Sequence, residues 1–358
     1  MFLNTNFLFL RKSYIIFFLV LLFIILNTSK VYSSIFKVSD IKITEPFNID
    51  FKKQEVINKA IILAFKKLLS MTISTNEMYK ISSFSVEEIK NLIDSFTIKD
   101  EKFINDKYNA TFDINFNKQN TFLYVEKKNI YPSIPKMKKI FLFPIFIDQL
   151  SQTVNVFNQN PFYTEWNKKI NDYHLLNYIL PSEDIDTVKI LNDNFNNLEV
   201  FDFSQITKNY DSNEYIICLI YTNQENFKVF SKIKLNEKLK IKSSIFPKKN
   251  ISSSKILQKF INDIKLTYED EWKKINQINR SVKLPINLSI SSKNFKKNQE
   301  FKKFLSSTDL VSNFMIKSFN NSFVNYKIIF NGSPKQFLNT VENQNFLIDT
   351  NEQIWKMK

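Results

Sequence analysis

The sequence predicts an α+β protein built of two or three small units. Apolar residues recur every three or four positions in two long stretches, 51–70 and 254–280, which is typical of amphipathic helices. Short segments with alternating or unbroken apolar residues lie between the helices and indicate strands. Of the 358 residues, 44% are hydrophobic and 24% charged, which fits a globular chain of two or three domains.

The first unit is expected at residues 34–130. Units of the β-α-β-β-α-β type are expected at both ends of the chain, and here the elements run β-α-α-β-β-α. A strand at 34–44 precedes the helix at 51–70, and Ser85 and Glu88 form a capping box for a shorter helix. Strands are predicted at 96–105 and 107–117, followed by a helix at 118–128.

An α/β middle domain is expected at residues 136–247. The unbroken apolar run at 138–148 is typical of a central strand that is buried on both faces. The pattern then predicts helices around 166–179 and 185–195, and strands at 214–222, 227–235 and 239–246.

A long amphipathic helix is expected within residues 252–281, joining the middle domain to the C-terminal one. Its apolar stripe consists of Leu257, Ile261, Ile264, Tyr268, Trp272, Ile275 and Ile278. The last domain, 283–358, is predicted to contain a strand, a helix, a hairpin, a helix capped by Ser333, and closing strands. The lone glycine, Gly332, is assigned to the turn before that helix.

Residues 1–33 have the three parts of a secretory signal peptide: a basic start, an uncharged run from Tyr14 to Leu26, and a polar end. The apolar run is 13 residues long, whereas a membrane span needs about 20. Val31 and Ser33 predict cleavage before Ser34, with an uncleaved membrane anchor as the alternative. The single cysteine, Cys218, excludes an internal disulfide. An exported chain without disulfides suits the periplasm.

The formal charge of +15 comes almost entirely from lysine, since Arg11 and Arg280 are the only arginines. Nucleic-acid binders use arginine for bidentate contacts with phosphates and bases, so we expect no nucleic-acid partner. The densest basic run, Lys232 to Lys259, has nine lysines and one acid, Glu237. If the protein binds an anionic polymer or membrane surface, we expect this stretch to bind it, through Lys232, Lys234, Lys238, Lys240, Lys242, Lys248 and Lys249.

Catalytic, metal and cofactor signatures are weak. His174 is the only histidine and lies on the predicted helix at 166–179, so we interpret it as structural. The acids at 182–186 could bind calcium, but a serine followed by acids also begins a helix, and we favour the cap. A single glycine excludes glycine-rich phosphate loops. We expect no catalytic residue, no metal and no cofactor.

Several segments together resemble a proteobacterial exported family known as a domain of unknown function, number two thousand and sixty-six. The matching features are the helix of Val56 to Leu69, the strand of Lys107 to Phe116, Pro144, Leu180-Pro181 with Asp184 and Asp186, Glu271-Trp272-Lys273 with Asn276, Gly332 and Trp355. The family has no assigned activity. The resemblance therefore implies an exported α+β protein and no particular chemistry.

We expect a non-enzymatic envelope protein that binds another envelope protein or assembles around a complex. The alternative is a binder of an anionic polymer or lipid head group through the lysine-rich stretch. A carboxylate-dependent hydrolase is a third possibility, which would need two acids facing each other across a cleft.

Overall fold

The computed structural model describes residues 36–81, 83–168, 173–210, 213–247, 251–279 and 282–358. These residues form a mixed structure of helices and three β-sheets, which confirms the α+β class. The predicted signal peptide, 1–33, and the site residues Lys248 and Lys249 lie outside the described residues.

The N-terminal sheet is antiparallel, with the order β1-β3-β2. Its strands are β1 (Lys37–Pro46), β2 (Ile93–Ile104) and β3 (Lys107–Phe116), and its helices are α1 (Lys53–Thr72), α2 (Val86–Lys90) and α3 (Lys118–Glu126). The buried side of α1, including Ala64, Phe65 and Leu68, shares one core with Phe112 and Ile114 of β3. The Ser85–Glu88 capping box is present at the start of α2, as predicted.

The middle sheet is mixed. Its strands are β4 (Lys138–Asp148), β5 (Thr153–Asn155), β6 (Leu176–Ile179), β7 (Tyr215–Thr222), β8 (Asn226–Leu235) and β9 (Lys238–Pro247). Strand β4 is parallel to β6 and β7, whereas β8 and β9 are antiparallel to their neighbours. Helices α4 (Pro161–Glu165), α5 (Ile185–Asp193) and α6 (Ser204–Thr207) lie in its connections. Residues of β4 enter cores on both faces, as its unbroken apolar run predicts.

The prediction of a helix at 166–179 is wrong. Helix α4 ends at Glu165, and residues 176–179 instead form strand β6, which pairs with Lys138–Phe141 of β4. A four-residue apolar segment can adopt either conformation, and the free edge of β4 supplies backbone hydrogen bonds only to a strand.

The long helix α7 (Ser254–Ile275) packs on the middle sheet. Leu257, Ile261, Ile264, Tyr268 and Trp272 lie in the same core as β7 and β8. Ile278, beyond the helix end, lies instead in the N-terminal core. The helix therefore supplies one wall of the middle core and reaches the N-terminal sheet at its C-terminal end.

The C-terminal sheet has the order β11-β12-β10-β14-β13, in which β10 and β14 are parallel. Its elements are β10 (Leu284–Ser291), α8 (Phe295–Ser307), β11 (Val311–Phe319), β12 (Phe323–Phe330), α9 (Pro334–Glu342), β13 (Ile348–Asp349) and β14 (Trp355–Met357). Phe301 of α8 and Phe337 of α9 pack in one core with Leu288 and Ile328. Ser333 caps α9 through the amide of Gln336, as predicted.

Candidate functional site

The lysine-rich stretch does not form a single surface. Strands β8 and β9 pair in register, with Ser231 opposite Lys242 and Lys232 opposite Ile241. Because side chains alternate between the faces of a sheet, Lys232 and Lys234 lie on one face and Lys238, Lys240 and Lys242 on the other. The sequence prediction grouped these residues by position along the chain, and the pleat of the sheet separates them.

Lys232 and Lys234 are engaged within the protein. The Lys232 ammonium donates a hydrogen bond to the carbonyl of Phe201 at 2.7 Å and lies 5.3 Å from the ring centre of Phe203. Its burial lowers the pKa of the Lys232 ammonium, since burial disfavours a charge. The Lys234 ammonium lies 5.6 Å from the centre of the Tyr215 ring. The prediction that Lys232 contributes to an exposed anion-binding surface is therefore wrong.

Lys240 and Lys242 share one carboxylate. Glu271 of α7, whose side chain is only 3% exposed, pairs with Lys240 at 2.8 Å, Lys242 at 3.1 Å and Lys274 at 3.0 Å. Burial acts to raise the pKa of Glu271, but the hydrogen bonds from the three lysines outweigh burial and lower its pKa to about 2. Glu271 compensates one of the three lysine charges that it pairs with, so this face keeps a net positive charge, and Lys240 and Lys242 hold β9 against α7.

The opposite face of β9 is apolar and exposed. Leu239, Ile241 and Ile245 are 53%, 57% and 72% exposed, respectively. Strand β9 is the last strand of the middle sheet and pairs with β8 alone among the described strands. The sequence predicts this strand at 239–246, but we did not expect its row of exposed apolar side chains. The alternation of lysine with Leu239 and Ile241 was the available signal. It places charged side chains on one face of the strand and apolar side chains on the other, which is unusual for an exposed edge strand.

Helix α7 also carries a row of buried ionisable side chains at four-residue spacing: Lys265, Glu269 and Lys273. Lys265 donates to the carbonyl of Trp166 at 2.6 Å. Burial is the largest effect on Lys265 and lowers its pKa to about 8. Glu269 accepts the amides of Leu175 and Leu176, at 2.9 and 2.8 Å, and its burial raises the pKa of the carboxyl.

These three side chains bond mainly to backbone. Shifted pKa values often mark catalytic sites, but structural networks shift them as well. Each charge here is matched to carbonyls or amides of a neighbouring loop, an arrangement that positions the loops around α7. We therefore interpret the row as structural.

His174 lies just before β6 and not on a helix, so its predicted location is wrong. Burial is the main cause that lowers its pKa to about 4, with a smaller contribution from Lys265 and Lys273. The imidazole is therefore neutral near pH 7. Cys218 is buried in β7, and burial raises the pKa of its thiol to about 12, which makes it a poor nucleophile.

The acids at 182–186 begin a helix, but the cap differs from the predicted one. Asp184, and not Ser182, accepts the amides of Asp186 and Thr187 at the start of α5. Within the described ranges, no three His, Cys, Asp or Glu residues are grouped closely enough to hold a metal ion. Over the same ranges, no helix has the length and apolar character needed to cross a membrane.

These observations define the class of the molecule as an α+β protein whose middle sheet ends in an amphipathic edge strand. The sequence matches no protein-family model and is not significantly similar to any curated protein.

Proposed function

We propose that this chain is an exported, non-enzymatic protein of the bacterial envelope that acts by binding another protein. The observation that carries the proposal is the exposed apolar row on β9, Leu239, Ile241 and Ile245. An edge strand offers unpaired backbone groups to an added strand, and a row of apolar side chains beside them adds affinity. The occupant of this edge is an extended segment of a partner protein.

Charge complementarity defines the partner segment. One face of β9 carries Lys238, Lys240 and Lys242, and the other carries the apolar row. A strand that extends the sheet places its side chains beside both faces, so the matching segment alternates acidic and apolar residues. In an antiparallel pair of two copies of β9, lysines would lie opposite lysines, which is unfavourable.

Site-specific photocrosslinking in cells tests this proposal. A photoreactive side chain at Ile241 is expected to capture one envelope protein. The same group at Ile185, an exposed apolar residue on α5, is the matched control and is expected to capture none. The substitution Ile245→Lys should abolish the adduct, because it places a charge in the apolar row. No adduct at Ile241, equal adducts at both positions, or a crosslink to a second copy of the chain would each contradict the proposal.

Export is the second part of the proposal, and it rests on the sequence of residues 1–33. When the full chain is produced in a bacterial host, we expect a periplasmic product whose mass equals that of a chain beginning at Ser34. A full-length product in the membrane fraction would instead indicate the anchor alternative. The carboxylate-dependent hydrolase stays an alternative without a specific observation in its favour.

Binding of an anionic polymer or lipid head group is the second candidate function. It is favoured by the shared face of Lys238, Lys240 and Lys242, whose side chains keep substantial exposure, but Glu271 compensates part of the charge. Retention on anionic vesicles that falls steeply between low and high salt would support this function. Retention that does not change with salt would contradict it.

We also propose that the chain belongs to the exported family that it resembles. In this proposal, residues 34–130, 136–247 and 283–358 are separate units, and the helix at 252–281 links them. Expression of 34–130 and of 283–358 as separate fragments tests the division. Cooperative unfolding of both fragments is expected, and an unfolded fragment would argue against that boundary.

A further inference from the structure

An open cleft of about 410 Å³ lies at one end of the middle sheet. Its volume is within the range of about 300–1,000 Å³ that is usual for small-ligand sites. Its walls come from the ends of β4 and β7, represented by Ile147 and Tyr221, from the loop after β4, and from residues 195–200 beyond α5. Three separate chain segments therefore converge on it.

The topology of the sheet places this cleft where α/β proteins commonly bind ligands. The chain leaves β4 towards β5 and β6, which pair with one edge of β4, whereas β7 pairs with the other edge. The chain leaves β7 in the opposite direction, towards β8. Connections that diverge from two adjacent parallel strands open a crevice at their carboxyl ends. The amide of Gln149 donates to the carbonyl of Thr222 and joins the two strand ends beneath the crevice.

Side-chain carboxamides dominate the polar lining: Gln149, Gln152, Asn196 and Asn197. Each carboxamide offers a carbonyl acceptor and an NH₂ donor side by side. A sugar hydroxyl also both donates and accepts, so neighbouring hydroxyls on a ring complement this group. Val200 and Phe195 add apolar surface to the same wall, against which the carbon face of a sugar ring can pack.

The charges of the cleft are balanced. Its carboxylate, Glu199, accepts a hydrogen bond from the Lys228 ammonium at 2.7 Å. The same ammonium lies 5.6 Å from the centre of the Tyr221 ring, which fixes it against the cleft floor. A paired carboxylate keeps acceptor capacity for hydroxyl groups but adds no net charge for an ionic ligand. The lining therefore favours a neutral, hydroxyl-rich ligand over a phosphate or a hydrocarbon.

We propose that this cleft binds a neutral saccharide. The carboxamides of Gln149, Gln152 and Asn196 recognise its hydroxyls, Glu199 accepts further hydroxyl hydrogens, and Val200 contacts a ring face. None of these residues lies on β9, so the saccharide site and the proposed protein-binding edge can be tested independently.

Isothermal titration of the purified protein with two neutral probes, cellotetraose and the N-acetylglucosamine tetramer, tests the inference. We expect at least one probe to bind. The double variant Gln149→Ala/Asn196→Ala should weaken that binding at least about tenfold, because each loss removes hydrogen bonds of about 1 kcal/mol. Both side chains are exposed, so the fold should tolerate the change.

Gln344→Ala removes an exposed carboxamide in the C-terminal unit and is the matched control, for which we expect unchanged affinity. The inference is overturned if neither probe binds. It is equally overturned if the double variant binds the probe as tightly as the natural protein, or if inorganic phosphate competes with the probe at the cleft.

Discussion

At the residue scale, left-handed backbone positions are occupied by side-chain-bearing residues in a chain that has one glycine. Among the described residues, those with positive φ are Asp40, Asp100, Asn105, Asp106, Asn129, Gln152, Phe157, Asn236, Glu237 and Asn345. Asn and Asp predominate because their short polar side chains tolerate this region best. The hairpin turns at 105–106 and 236–237 need two such residues in succession, as in type I′ turns.

Glu237→Gly is expected to stabilise the protein by about 0.5–1 kcal/mol. Glu237 has a φ of 62°, where a β-carbon is unfavourable, and relief of this strain exceeds the entropic cost of glycine. The free energy of unfolding, measured with urea, checks the change. Glu225→Gly is the control, since Glu225 precedes β8 without a positive φ, and it should give no gain. Equal effects of the two substitutions would contradict the explanation.

Gly332 is required for close packing rather than for an unusual backbone angle, since its φ is not positive. A β-carbon added there would lie 2.5 Å from Gln336 Oε1 and 2.8 Å from Phe330 Cε1. The sequence predicts Gly332 in the turn before α9, where the structure has it. The physical reason for glycine is the close packing of its neighbours rather than the turn itself. The constraint comes from Phe330, a fully buried neighbour two residues away.

Gly332→Ala should therefore destabilise the protein by about 1–3 kcal/mol, because the Phe330 ring cannot move without disturbing the core. Urea unfolding measures the loss. The double variant Gly332→Ala/Gln336→Ala removes the flexible neighbour and should recover only part of the stability. Full recovery would show that Gln336, and not Phe330, limits the position.

At the scale of the element, α7 holds the edge of the middle sheet with one carboxylate. Glu271→Gln should lower the free energy of unfolding by about 1–3 kcal/mol at pH 7, because three lysine ammoniums lose the negative charge that they share and one carboxylate oxygen is replaced by an NH₂ donor. Glu300→Gln is the matched control: Glu300 pairs with Lys296 at 4.0 Å on an exposed surface of α8, and its loss should cost less than about 0.5 kcal/mol. Similar losses for the two variants would contradict a special role for Glu271.

The pH dependence of stability follows from the same group. The folded pKa of Glu271, about 2, lies below the value of about 4.3 expected in the unfolded chain. Its stabilising contribution is therefore complete above about pH 5 and is lost as the pH falls towards 2. The difference in unfolding free energy between the natural protein and Glu271→Gln should shrink over this range. A difference that stays constant from pH 6 to pH 3 would exclude the assignment.

At the scale of the whole molecule, α7 connects the middle sheet to the N-terminal one. The Lys273 ammonium donates to the carbonyl of Ile73, just past α1, at 3.0 Å, and Asp270 accepts the amide of Thr75 at 2.9 Å. Nearby, the amide of Ser133 donates to the carbonyl of Thr72 at 2.7 Å. The junction between the two sheets thus depends on charged side chains of α7 that bond to backbone.

Lys273→Met should weaken this junction, since it keeps an unbranched side chain, one atom shorter than lysine, and removes the donor. The buried carbonyl of Ile73 would lose this donor, which should lower the free energy of unfolding by about 1–3 kcal/mol. Hydrogen exchange at the amides of Ser133 and Ile134 should become faster. Lys259→Met, at an exposed position of the same helix, should leave that exchange unchanged. Unaltered exchange in Lys273→Met would contradict the proposed junction.

Local patterns were sufficient to predict the long elements. Helix α1, strand β4 and the α9 cap at Ser333 follow from periodicity and turn chemistry, which act within a few residues. Strand β6 was predicted as a helix, because its conformation depends on the edge of β4, which lies far away in the sequence.

The sequence by itself determined the α+β class and the positions of the lysines along the chain. It also predicts the export segment. Only the tertiary structure decided which lysines share a face, that Glu271 pairs with two of them, and that segments near 149, 197 and 221 line one cleft. The physical reason is the separation along the chain of the residues that interact. Helix and strand patterns depend on neighbours in the chain, whereas ion pairs, exposed edges and clefts depend on residues that folding brings together.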